Sequence, residues 1–298
     1  MTEITDRDYP AMFCAADRAS LTAQRRYLLA TRLTLVLLVL GAAIAAVATQ
    51  WESLKPALAI TSAVVLTMSL ALSVYVKAAS LEKVWYGGRA VAESVKSISW
   101  RYMMGAEPFS IGGDPAQTDR IFIADLVSIV KERKQLMFGF GGEASDLPQI
   151  SVRMREFRSR SLPERMEIYI AGRMGDQRRW YGRKAKYNRS AEDKYFVLIV
   201  ASEVLAACSS LAQVRWPNLK MHFTGLFAAL ASAFIAWLQM KQHKELAQAY
   251  SVAEFDLSLA EEQARHVRDE GDFSSFVADA ENAISREHTL WIARRDRN

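Results

Sequence analysis

The chain has 298 residues, 51% of them apolar and 24% charged, with a net charge of +5. That mixture excludes a chain lying wholly inside a bilayer, is too apolar for an ordinary soluble protein, and suits about two domains by length. The two cysteines, Cys14 and Cys208, and the four histidines, His222, His243, His266 and His288, have no ligand or catalytic spacing. Metal sites and thiol catalysis therefore have no support, and no cofactor or enzymatic activity is expected.

In chain order, MFCAADRASLTAQRRYLLATR repeats apolar residues at helical spacing and runs unbroken into a stretch without charge between Arg32 and Glu52. A second uncharged stretch lies between Lys55 and Lys77. IFIADLVSIVKERKQLM predicts an amphipathic helix from Ile121, fenced by GAEPFSIGGDPAQTD and FGFGGEASDLPQ. FGFGGEASD lacks the Gly-Lys-Ser/Thr that grips phosphate and magnesium, so it reads as a linker and sets a boundary between units 1–148 and 149–298. From about Pro163 a long helix carries a basic stem into a third apolar run, where Glu203 is the only charge between Lys194 and Arg215. A fourth run lies between Lys220 and Lys241, followed by helices over HKELAQAYSVAEFDLSLAEEQARHV and FSSFVADAENAISREHTLWIARR. No strand pattern is evident.

The four runs place spans at about 33–51, 56–76, 196–214 and 221–240. At 1.5 Å per residue each rises about 28–31 Å, the thickness of a bilayer's hydrocarbon core. The expected fold is an all-α membrane protein with two transmembrane helical hairpins and long cytoplasmic helical extensions. The hairpins share a layout: Trp51 and Trp216 at the tips, Lys55 and Lys220 opening the return helices, Lys77 and Lys241 at the exits. The Trp rings suit the headgroup layer, and the Lys stems can snorkel to water. Tyr86 and Tyr250 each follow an exit by nine residues, which completes the signature of a tandem duplication. Lys and Arg flank the hairpins and are scarce in the tips, so both termini and the segment 90–190 are expected in the cytoplasm. The segment before the first run has no signal-peptide cleavage pattern.

Three features are candidate functional determinants. Glu203 lies about eight residues into an apolar run, where an acid costs a few kcal/mol unless it faces protein or water. With Ser202, Ser209 and Ser210 it reads either as lining a pore or pathway, or as a protonated structural acid between packed helices. Gly41 and Ala45, and Gly225, Ala229 and Ala233, have the four-residue spacing that brings membrane helices close, within a hairpin or between subunits. The basic stem, with Arg173, Arg178, Arg179, Arg183, Lys184, Lys186 and Arg189, belongs to a segment 153–194 with 13 cations against 6 acids, net +7. From Glu254 onward there are 11 acids against 6 cations, net −5. Such a stem can attract anionic lipid, receive the acidic C-terminal helices, hold a nucleotide phosphate, or simply combine the cation bias of cytoplasmic flanks with a solvated helix face. Nucleic acid is not an expected partner, because the basic stretch is tied to the bilayer and carries no reading motif.

YPAMFCAADRASLTAQRRY, RMEIYIAGRMGDQRRWYGRKA with Trp180, Tyr181 and Ala185, and ENAISREHTLWIARR resemble the SLATT family, the SMODS- and SLOG-associating two-transmembrane effector domains, in a tandem two-unit form. The resemblance implies a bacterial inner-membrane effector of conflict or antiphage systems. Such an effector would act as a homo-oligomeric pore after a nucleotide-linked signal from a nucleotide-synthesising or nucleotide-sensing partner protein. It supplies no catalytic residues. The residues themselves leave two alternatives, a proton-coupled small-molecule transporter and a non-conducting membrane-anchored signalling scaffold.

Overall fold

The computed structural model describes residues 4–132, 147–216 and 223–295, with side chains up to residue 284. FGFGGEASD and the second hairpin tip, including Lys220 and His222, lie outside the described residues. Among the described residues ten α-helices follow in order: α1 Ala11–Ala48, α2 Lys55–Ala78, α3 Leu81–Met104, α4 Pro115–Glu132, α5 Val152–Arg158, α6 Leu162–Glu167, α7 Gly175–Arg215, α8 Thr224–Lys241, α9 His243–Gln263 and α10 Glu270–Arg295. Between α6 and α7 the chain stays helical but widens into a π-turn, Ile168–Met174. No strand occurs among the described residues. Four of the helical stretches are long and apolar enough to cross a membrane, beginning at Ala11, Lys55, Leu162 and Thr224. The chain is a multi-pass helical membrane protein.

Local chemistry sets the helix boundaries. α4 begins six residues before the expected Ile121, because Asp114 accepts from the Ala116 amide at 3.1 Å and Pro115 has the backbone angle of a first helical turn. α5 was not legible from periodicity. It starts at Ser151, whose Oγ accepts from the Met154 amide at 3.2 Å. α6 starts with a capping box in which Glu164 accepts from the Ser161 amide at 3.0 Å. Both return helices end at a residue in the left-handed region, Ser80 with φ 47° and Gln242 with φ 49°.

The described chain forms two compact units, one from residues 25–81 and 184–248 and one from 1–24, 82–183 and 249–298. The first contains the four spans. Its first hairpin closes on Gly41, where Ser62 Oγ donates to the Gly41 carbonyl at 2.9 Å and Ser69 Oγ donates to the Thr34 carbonyl at 3.1 Å. In the second, Tyr195 packs near Phe234 and Trp237, with ring centroids 6.2 and 6.5 Å apart. The Arg32 guanidinium sits 4.9 Å from the centre of the Trp237 ring, joining the two hairpins.

The second, extramembrane unit is built round one apolar core. Tyr9, Phe13 and Ala16 pack with Val91, Val95, Trp100 and Met103 of α3, Phe122 and Leu126 of α4, Phe157 of α5, Tyr169 and Met174 of the π-turn, and Phe273 and Val277 of α10. Trp100 Nε1 donates to Tyr9 Oη at 2.9 Å, so this buried indole is satisfied. Arg158 donates to the carbonyls of Tyr102, Phe109 and Ser110 at 2.8, 2.6 and 2.9 Å, pinning the α3–α4 connection. Arg165, 1% exposed, donates to the Met104 carbonyl and to Glu270.

Close approach of α1 and α3 depends on Gly88. A Cβ there would lie 3.0 Å from the Ala16 carbonyl oxygen and 3.1 Å from Ser20 Cβ. Gly88→Leu is expected to destabilise the extramembrane unit by about 1–3 kcal/mol, because backbone must move. Gly41→Ala should cost less, since a Cβ there meets only the flexible Leu66 side chain at 2.6 Å. Thermal unfolding of both variants in detergent, followed by circular dichroism, checks the order.

Candidate functional site

The third span divides the four pathway candidates into two faces. Ser202 is buried and donates to the Leu198 carbonyl at 2.7 Å, and Ser209, seven residues on, accepts from Thr224 Oγ1 of the return helix at 3.3 Å. Gln213 Nε2 reaches the same Thr224 oxygen at 3.4 Å. Glu203 and Ser210, also seven residues apart, lie on an exposed face beside Val200, Val204 and Leu211. The structure therefore brings Ser202 and Ser209 to the hairpin's inner seam and leaves Glu203 and Ser210 on the outside of one chain. Glu203 forms no ion pair or hydrogen bond among the described residues.

The small-residue positions separate in the same way. Gly41 is buried against Leu66, whereas Ala45 is exposed. Ala229 and Ala233 are half-buried, and Gly225 is exposed with open space where a Cβ would be. Trp51 and Trp216 are exposed at 55% and 56%, as suits rings anchored in a headgroup layer, and Lys55 beside the first tip is exposed too.

The basic stem meets the acidic helices through its first residues. Arg173 is buried, and its Nε and Nη2 donate to the two carboxylate oxygens of Glu281 on α10, each at 2.9 Å. Tyr169 Oη donates to Glu281 Oε1 at 3.0 Å. Burial opposes the charge on Arg173, but the facing Glu281 carboxylate outweighs it and holds the guanidinium protonated. Burial, and then the charge on Glu281, push the Tyr169 phenol well above its usual range, so it remains a donor. Further along, Arg178 pairs with Glu261 of α9 at 2.6 Å and Arg179 with Asp176 one turn back. Trp180, Tyr181 and Tyr250 cluster with centroids 5.3, 5.3 and 5.8 Å apart. Gly182 allows this docking, since a Cβ there would lie 2.6 Å from Glu254 Oε1. Arg183, Lys184, Lys186 and Arg189 are exposed.

Tyr169 and Glu281 were not singled out from the sequence. The opposed charge of the stem and the C-terminal helices pointed to such docking but not to its residues. The π-turn selects them by placing Tyr169 and Arg173 on one side. Among the described residues no group of acids, His and Cys could hold a metal ion.

Comparison with known families gives two matches. Residues 10–166 are similar to SMODS and SLOG-associating 2TM effector domain 3, and residues 169–291 to SMODS and SLOG-associating 2TM effector domain 1. No curated protein and no solved structure matches the chain.

The Arg173–Glu281 pair gives a sharp expectation. Removing one partner by Arg173→Met or Glu281→Leu leaves a buried uncompensated charge and should cost about 3–5 kcal/mol. The double variant should recover part of that loss, because two apolar side chains need no partner, while the buried Tyr169 hydroxyl still loses its Glu281 acceptor. Unfolding midpoints of the full chain with both single variants and the double variant measure the coupling.

Proposed function

Because the chain belongs to the SLATT family, carrying two of its two-transmembrane effector units in tandem, we propose that it is a membrane effector of a bacterial conflict system that oligomerises into a pore, or otherwise perturbs the inner membrane, after a nucleotide-linked signal. The observation that carries the reading is the position of Glu203. In a single chain it stands exposed, together with Ser210, on a surface otherwise made of Val200, Val204 and Leu211. An acid facing lipid near the middle of a span costs a few kcal/mol. Further copies packed on that face would cover it, or line an aqueous path with it. Two hairpins alone enclose little water, so a conducting path requires several chains.

The orientation proposed for this effector follows the flanking cations. The first tip carries Lys55 alone, against Arg25, Arg26, Arg32, Lys77, Lys83 and Arg89 beside the spans. With Cys14 and Cys208 replaced by Ser, a cysteine at Ser53 should react with an impermeant thiol reagent from outside intact cells. A cysteine at Ala116 should react only after lysis. Labelling of Ala116→Cys in intact cells would reverse the assignment.

Expression of the active protein should depolarise cells and release a small dye from vesicles. Glu203→Gln should alter conductance or cation preference with insertion and oligomer size unchanged. Glu203→Leu, which removes charge and hydrogen bonding, should impair the path further. Substrate flux driven by a proton gradient, without dye release, would favour a transporter instead. Neither flux nor leakage under an activating signal would favour a signalling scaffold.

A further inference from the structure

The extramembrane unit contains a cavity of about 370 Å³ that the membrane reading does not use. Its walls include the rings of Tyr9, Trp100 and Phe157, and its charged lining is Lys96, Arg160, Arg173 and Arg179 against Asp6 and Asp176, net +2. Three of the four cations already have partners: Arg173 with Glu281, Arg160 with Glu156 at 2.9 Å, and Arg179 with Asp176. Lys96 differs. Its ammonium lies over the faces of Tyr9 and Phe13, 5.4 and 5.8 Å from the ring centres, and forms no ion pair among the described residues. Burial, and then the nearby Arg173 charge, lower its pKa against the partial opposition of Glu93 and Asp6, so an anion bound beside it would favour the charged form.

The π-turn shapes the same cavity. Gly172 lines it, and a Cβ at Gly172 would meet nothing within 4 Å, so a side chain there would project into open space. π-turns inside helices occur frequently at functional sites. The volume lies within the range of small-molecule sites, roughly 300–1,000 Å³, and exceeds what an inorganic ion fills. Cations at one wall and flat apolar rings at the others complement a molecule with a charged end and a planar body.

We propose that this cavity binds a phosphate-bearing small molecule, the phosphate against Lys96 and the body against the Tyr9, Trp100 and Phe157 walls. Lys96 supplies the one lining cation not committed to a carboxylate among the described residues, and Lys and Arg are the usual donors to phosphate oxygens. The site does not depend on whether the assembled spans conduct. The same chemistry is offered by a soluble phosphate ester and by the headgroup of an anionic lipid such as phosphatidic acid.

The test uses the full chain in nanodiscs of neutral lipid. Calorimetric titration compares adenosine 5′-monophosphate, adenosine and dioctanoyl phosphatidic acid. Saturable binding of the monophosphate but not of adenosine identifies a soluble ester site, and binding of phosphatidic acid alone identifies a headgroup site. Either supports the proposal provided that Lys96→Gln weakens it by about tenfold or more and Lys96→Arg restores it. Gly172→Leu should abolish binding by filling the cavity. Gly172→Leu should keep the parent unfolding midpoint, since a Cβ there meets no neighbour, and Lys96→Gln should lower it only slightly, through the lost contact with the Tyr9 and Phe13 rings. Saturable binding by neither phosphate probe, or binding unchanged in Lys96→Gln and Gly172→Leu, would overturn the site.

Discussion

In hydrocarbon a backbone amide or carbonyl has no water to bond, and this constraint governs most of the membrane unit. It forces each uncharged run into an unbroken helix, and it governs the span hydroxyls as well. Thr31 and Thr34 donate to the carbonyls of Tyr27 and Ala30, four residues back, and Thr61, Thr67, Ser73 and Ser202 repeat the arrangement. A hydroxyl satisfied in this way leaves its helix free to pack by shape alone. Ser62 and Ser69 are different, because their donors cross to the partner helix of the hairpin. Those two bonds fix the register of α2 on α1, and the bare backbone of Gly41 gives Ser62 its close approach. An ionised carboxylate cannot be satisfied by a carbonyl of its own helix, which sets Glu203 apart from Ser202 and Ser209 on the inner seam of the same span.

The extramembrane unit solves the opposite problem, that of cations brought into a dry core. Arg158 spends its donors on carbonyls at the end of α3 and in its following connection, where helix termination leaves acceptors free, and Arg165 divides its donors between the Met104 carbonyl and the Glu270 carboxylate. Arg173 instead meets a carboxylate in a two-point contact, with Tyr169 completing the acceptor side of Glu281. Each buried guanidinium thus ties together segments distant in sequence, and the Arg173 contact spans 108 residues. Since a buried pair adds little net stability over apolar replacements, its effect lies in specifying which faces of the π-turn and α10 meet.

Absence of charge is a local property, so the spans could be read directly from composition, and the flanking charged residues placed their ends. The stem's docking on acidic helices was legible only as an imbalance of charge, because choosing Arg173 over Arg183 requires knowing which side of a helix faces the core. Four-residue spacing suggested a shared face for Gly41 and Ala45, yet one is buried and the other exposed. Four residues advance an α-helix by about 40° beyond a full turn, enough to carry a residue off a narrow seam. The π-turn had no signature in the sequence. Its widened hydrogen bonding follows from packing Ile168, Tyr169, Arg173 and Met174 inward together, which an α-helical turn would spread over a wider arc.

The duplication is unequal in a way that bears on mechanism. The two exits are alike only in passing through left-handed backbone, at Ser80 three residues after Lys77 and at Gln242 one residue after Lys241. The Trp-Tyr-Gly triplets are not, since Trp85–Gly87 follows the first hairpin and Trp180–Gly182 precedes the second. The spans differ further: those of the first hairpin contain no charge, while the third span contains Glu203. A symmetric assembly of n chains would therefore present n acids, all from the second hairpin, and an uncharged surface from the first. In such a ring the first hairpin would suit contact with lipid and neighbouring helices, and the outer face of α7 would carry the charge facing the path. Ser210, one heptad beyond Glu203 on that face, would extend the polar strip by about 10 Å along the span, a third of the hydrocarbon thickness. The remaining length is apolar, so an assembled path of this kind would combine one polar ring with long hydrophobic walls, an arrangement that can close by dewetting.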